Sequence, residues 1–148
     1  MKPFRFRLER LKRLRNQQLD RERHELDRAC EVCDTLDAEL RDRAESQRGR
    51  EAELGSRLKA GVPGASLRSE TADTQRGASV VADTRAQLDR ANDQRSENQD
   101  QVFAAWRRMR LLERLEARGR SKHEREKERH EQRNLDETGQ LRWWGRNR

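Results

Sequence analysis

A ladder with a step of seven residues runs through the first third of the chain: Leu19, Leu26, Cys33, Leu40, Gln47 and Leu54. A second row stands three residues further on, with Ala29 and Leu36 as its apolar members and Glu22, Arg43 and Arg50 as polar interruptions. Two rows alternating in this way form one stripe on a helix, and that stripe is the seam of a coiled coil. The spacing predicts a helix over residues 4–60, where Gly49 and Gly55 are the only glycines before the last residues and no proline intervenes. Leu8 and Leu11 join the seam only through a four-residue phase shift, a stutter. Pro3 suits a first helical turn.

A narrow seam is also what the composition permits. Hydrophobic residues make up 30% of the chain and charged residues 43%, with no Tyr and only three Phe and three Trp, too little apolar volume for a compact core. Disorder would bring more than the two Pro and eight Gly present. Good helix formers dominate instead. The break comes at residues 61–66, where Gly61, Pro63 and Gly64 cluster and Ser66 offers a helix cap. A second helix is expected over residues 67–140, loosely formed through the polar stretch 69–79. It is firmer where Val81, Leu88, Val102 and Met109 share one row and Ala91, Ala105 and Leu112 another, with Arg95 and Asn98 breaking the seam. A basic, tryptophan-bearing tail, 141–148, closes the chain. Long helices joined by a short turn fold back on each other. The expected fold is therefore all-α, one long antiparallel two-helix coiled-coil hairpin over residues 1–148. It sets residue 4 near residue 122 and leaves the second arm overhanging by about 20–25 residues, each arm about 80 Å long at the helical rise.

Charge is unevenly placed. Residues 1–15 carry seven Lys/Arg against one acid, and residues 107–148 carry fourteen against eight. The hairpin brings these basic ends together, a repulsive arrangement that an acidic partner would relieve. Cys30 and Cys33 sit three apart on one helical face without the second pair that a zinc site needs, and so read as seam residues. His123 and His130 lack a third ligand. There is no phosphate loop or nucleophile motif, so the reading is of a non-enzyme without metal or cofactor. No apolar run is long enough to span a bilayer, which predicts a cytoplasmic protein. Nucleic-acid binding fits poorly, because the Arg residues are spread around the helix, interleaved with Glu and short of stacking aromatics. An apolar stripe of Phe4, Leu8 and Leu11 suits a membrane surface, or simply the hairpin seam. Trp143 and Trp144, placed on the overhang, read as docking anchors, since tryptophan leads interface hot spots.

The opening "FRFRLERLKRLR", the two-helix layout and the late Leu135-Asp136-Glu137 followed by basic residues and Trp resemble the FliJ family of flagellar type III export proteins. The resemblance implies a stalk like that of rotary ATPases. Its terminal end would enter the hexameric ring of the export ATPase and promote ring assembly and turnover. Elsewhere it would contact the membrane-embedded export gate, and it would also escort export chaperones. The protein would then lie peripherally on the cytoplasmic face of the inner membrane. Carried onto this chain, the ATPase-facing residues are Phe4, Leu8, Leu11, Arg15, Leu135, Asp136 and Glu137, with Trp143 and Trp144 beside them. The polar stretch after the turn and the doubled Trp depart from the family pattern. A generic coiled-coil scaffold and a basic nucleic-acid binder are the competing readings.

Overall fold

A computed structural model describes residues 3–61 and 64–146, giving only the backbone for residue 66 and residues 141–146. Two α-helices, α1 (Glu9–Lys59) and α2 (Gly64–Arg146), pack against each other as an all-α hairpin, with no strand among the described residues. Burial follows the heptad rows on both helices. On α2 it recurs at Leu67, Thr74, Val81, Leu88, Val102 and Met109, and again at Glu70, Gly77, Thr84, Ala91, Asn98, Ala105 and Leu112.

The ends of α1 are set by local chemistry. Residues 3–6 are non-helical, and the first turn closes through Glu9 N–H donating to Phe6 O at 3.2 Å, so Pro3 does not open the helix. At the other end Gly61 adopts φ 76°, a left-handed conformation that glycine takes without a Cβ penalty, and its N–H donates to Leu58 O at 3.3 Å. α2 starts at Gly64, so Ser66 lies inside the helix and does not cap it.

The chain divides into two compact units. The first comprises residues 1–20 and 104–148, the second residues 21–103. In the first, Leu19, Ala105, Met109 and Leu112 are buried. The phase of the seam runs back from Leu19 through Arg15 and Lys12 without a stutter: both charged residues are half-buried, while Leu8 and Leu11 stay exposed. The reason is the partner across the seam. Lys12 Nζ donates to Glu116 Oε2 at 2.6 Å, so a lysine fills a position that a leucine would otherwise take.

In the second unit the buried residues are mostly polar: Cys33 is joined by Gln47, Thr84 and Asn98. Each polar residue is tied across the seam. Asn98 Nδ2 donates to Glu25 O at 3.2 Å, Arg43 Nη1 to Thr84 Oγ1 at 2.5 Å, and Gln47 Nε2 to Thr74 O at 2.9 Å. Residues 69–79 are fully helical, against the loose structure expected there. Small residues explain it. A β-carbon at buried Gly77 would overlap Gln47 Oε1, so the missing side chain lets α1 come close enough to hold this weak segment. Arg57 Nη1 meets Glu70 Oε1 at 2.5 Å beside it.

Candidate partner-binding end

The terminal unit holds 21 Lys/Arg and 10 Asp/Glu, a net +11, whereas the other unit nets −4. Within the basic unit the chain start is pinned to α2. The Phe4 ring lies against Gly119, its Cζ 3.3 Å from where a β-carbon would stand, and its centroid is 5.7 Å from that of His123. This contact fulfils the register expected from the hairpin, in which residue 4 lies near residue 122. Leu8, Leu11 and Leu14 follow it with exposures of 40, 37 and 59%, so they are not seam residues. Half-buried Arg15 donates to Gln18 Oε1 at 2.8 Å.

Beyond His123 α2 continues without cover. Every residue from 124 to 140 is exposed, including Leu135, Asp136 and Glu137. Twelve positions of helix separate His123 from Leu135, about 18 Å of rise, so Leu135-Asp136-Glu137 is not brought to the Phe4–Leu11 cluster. Trp143 and Trp144 fall within the span of α2, and their side chains lie outside the described residues. The single helix is braced by Lys–Glu pairs four apart, Lys122–Glu126 at 3.9 Å and Lys127–Glu131 at 3.7 Å, as expected for a solvated arm.

Two features of this unit escaped the sequence reading. One is the pairing of Lys12 and Glu116. Their hydrogen bond is the main reason that Lys12 titrates above its ordinary value and Glu116 below its own, and Arg120 adds to the latter from 3.3 Å. The other is a set of exposed apolar residues on α2, Trp106 on one flank of the seam and Leu111 and Leu115 on the other. The Arg110 guanidinium lies 5.7 Å from the Trp106 ring centre, a cation–π arrangement, and pairs with Glu113 at 2.8 Å.

The fold and this end define the class of the chain, an all-α helical hairpin with one basic, partly uncovered terminus. The family model described as Flagellar FliJ protein matches residues 4–148, and the chain belongs to the FliJ family. Comparison with curated proteins and with solved structures gives no match. The family comprises structural, chaperone-like components of flagellar protein export and no known enzyme. No helix among the described residues is long and apolar enough to cross a membrane.

Proposed function

We propose that this chain is the stalk of a flagellar type III export apparatus, engaging the export ATPase ring through its basic terminal unit and linking the ring to the export gate. The observation that carries the reading is the family match over residues 4–148, which spans both helices. The form of the terminal unit supports it. Its +11 charge favours a negatively charged receptor, and Leu8 and Leu11 are available beside Arg15 instead of being spent in the seam. The bare helix from 124 to 140 adds a projecting arm on which Leu135, Asp136 and Glu137 are accessible. Trp143 and Trp144 extend that arm and serve as its anchor. The same end is the natural landing place for export chaperones, and it brings the protein peripherally to the cytoplasmic face of the inner membrane.

The test is the ATP hydrolysis rate of the cognate export ATPase with and without the chain at physiological salt, with sedimentation to follow ring assembly. Stimulation and co-sedimenting rings are expected. Both should be lost with Leu8→Ala/Leu11→Ala or with removal of residues 124–148. An unchanged rate and no co-sedimentation with the intact chain would reduce it to a scaffold.

A further inference from the structure

We propose that one flank of the basic unit, built from Leu11, Leu14, Leu111 and Leu115 with arginines around them, docks on an anionic lipid surface.

Each of these leucines immediately precedes a seam residue: Leu11 before Lys12, Leu14 before Arg15, Leu111 before Leu112 and Leu115 before Glu116. A step of one residue turns a side chain by about 100° from the seam, to the same hand on both helices. In an antiparallel pair the same offset on both helices emerges on the same side. The Lys12–Glu116 and Phe4–His123 contacts set Leu11 level with Leu115 and Leu14 level with Leu111. The four leucines thus form one patch, exposed by 37, 59, 59 and 40%. In a chain with so few apolar residues, a clustered exposed patch points to an occupant.

Charge identifies the occupant. The other helical positions that share this flank over 104–122 are Ala104, Arg108, Arg118 and Lys122, so every charged one is basic, with Lys122 also 3.9 Å from Glu126 a turn further out. The nearby acids are engaged elsewhere. Glu116 holds Lys12 in the seam, while Glu9 pairs with Arg13 and Glu113 with Arg110 on the opposite flank. Leucines with a predominantly basic rim suit the headgroup region of an anionic bilayer, where leucines enter the acyl boundary and long basic chains reach up to phosphate. The patch is convex, standing on the ridges of two helices, and the adjoining groove on α2 is lined by Arg118, Lys122, Arg125 and Arg129 with Glu126, Ala117 and Ser121, so neither offers an apolar seat for a partner helix. A second copy of the chain would set +11 against +11.

Leu11 belongs to both this patch and the surface proposed for the ATPase, so the two partners should compete. The assay for lipid contains no ATPase, and the two readings fail separately. The intact chain is sedimented with vesicles of phosphatidylcholine alone or with about a third phosphatidylglycerol, at about 0.1 M salt. Binding to the anionic vesicles only is expected. Leu11→Gln/Leu14→Gln/Leu111→Gln/Leu115→Gln should weaken it by about tenfold or more at unchanged helicity. Arg108→Glu/Arg118→Glu, which leaves every apolar contact in place, should weaken it comparably. No binding by the intact chain overturns the proposal. Undiminished binding by the leucine variant also does, by reducing the effect to bulk charge. If the leucine variant instead loses ATPase stimulation while the intact chain ignores vesicles, the patch belongs to an acidic protein and the lipid proposal fails.

Discussion

The two units of this hairpin solve the same packing problem with opposite materials. Among the described residues, four of the five buried apolar ones, Leu19, Ala105, Met109 and Leu112, lie in the unit that carries +11. The three buried polar residues among those described, Gln47, Thr84 and Asn98, lie in the unit at −4. Repulsion among clustered cations disfavours the compact state. An apolar seam is the local compensation, because its strength does not depend on neighbouring charge. The acidic unit faces less repulsion and can place hydrogen-bonding residues in its seam, where they weaken packing but penalise other registers. Stability is thus concentrated in the unit proposed to meet partners, and register is fixed in the other.

The largest expected effect tests where stability resides. Leu112→Ala removes a side chain that is 6% exposed from the apolar seam beside buried Ala105 and Met109, and should cost about 2–3 kcal/mol. Leu40→Ala removes the same atoms from the polar unit, at a half-buried position, and should cost about half as much. Urea unfolding followed by circular dichroism gives both values. Equal losses would break the contrast between the units, and a larger loss for Leu40 would invert it.

A smaller effect of opposite sign tests the polar seam. Gln47 is 5% exposed; its Nε2 is satisfied by Thr74 O and Glu51 Oε1, but its Oε1 is buried with no hydrogen-bond donor. Replacing it with Leu of similar size removes that unsatisfied oxygen and should stabilise the chain by about 1–2 kcal/mol. The cost should appear in specificity, since Gln47 faces Gly77 and marks the register there. Spin-label distances between residue 51 and residue 73 should therefore broaden in Gln47→Leu. A destabilised variant would mean that the bond to Thr74 outweighs the orphaned oxygen.

Much of the fold was legible because a seam is a spacing. The rows from Leu19 to Leu54 and from Val81 to Met109 needed only helical geometry, and a single Gly/Pro break fixed the antiparallel return that sets Phe4 beside His123. Illegible were positions whose burial depends on the other helix. Lys12 and Arg15 look like surface residues until Glu116, 104 positions away, is placed opposite Lys12; Leu8 and Leu11 then lose the seam role that their polarity suggested. Residues 69–79 looked weak because helix propensity is local, whereas the close approach at Gly77 is a property of the pair. In the candidate site, the hairpin predicted the Phe4 contact. The leucine flank was hidden because it needs the phase of both helices at once.

The smallest predicted effect concerns the partly buried Lys12–Glu116 ion pair of the basic unit. Glu116 is held below its ordinary value of 4.5 chiefly by the hydrogen bond from Lys12, and Lys12 is raised above 10.5 chiefly by the same bond. A depressed carboxylate contributes stability that is complete above its unfolded value and lost as pH falls through the folded one. A raised lysine contributes stability that is complete below its unfolded value and lost as pH rises through the folded one. The pair should therefore support the unit steadily between about pH 5 and 10 and fail on either side. Both side chains keep some solvent contact, at 27 and 18% exposure, so screening limits the size of the effect. Urea midpoints measured from pH 6 down to pH 3 should fall more for the native chain than for Glu116→Gln, with the gap closing at about 1 M salt. Parallel acid limbs in the two proteins would show that Lys12 tolerates its half-buried seam position without Glu116, and the apolar residues around it would then account for the whole stability of the basic end.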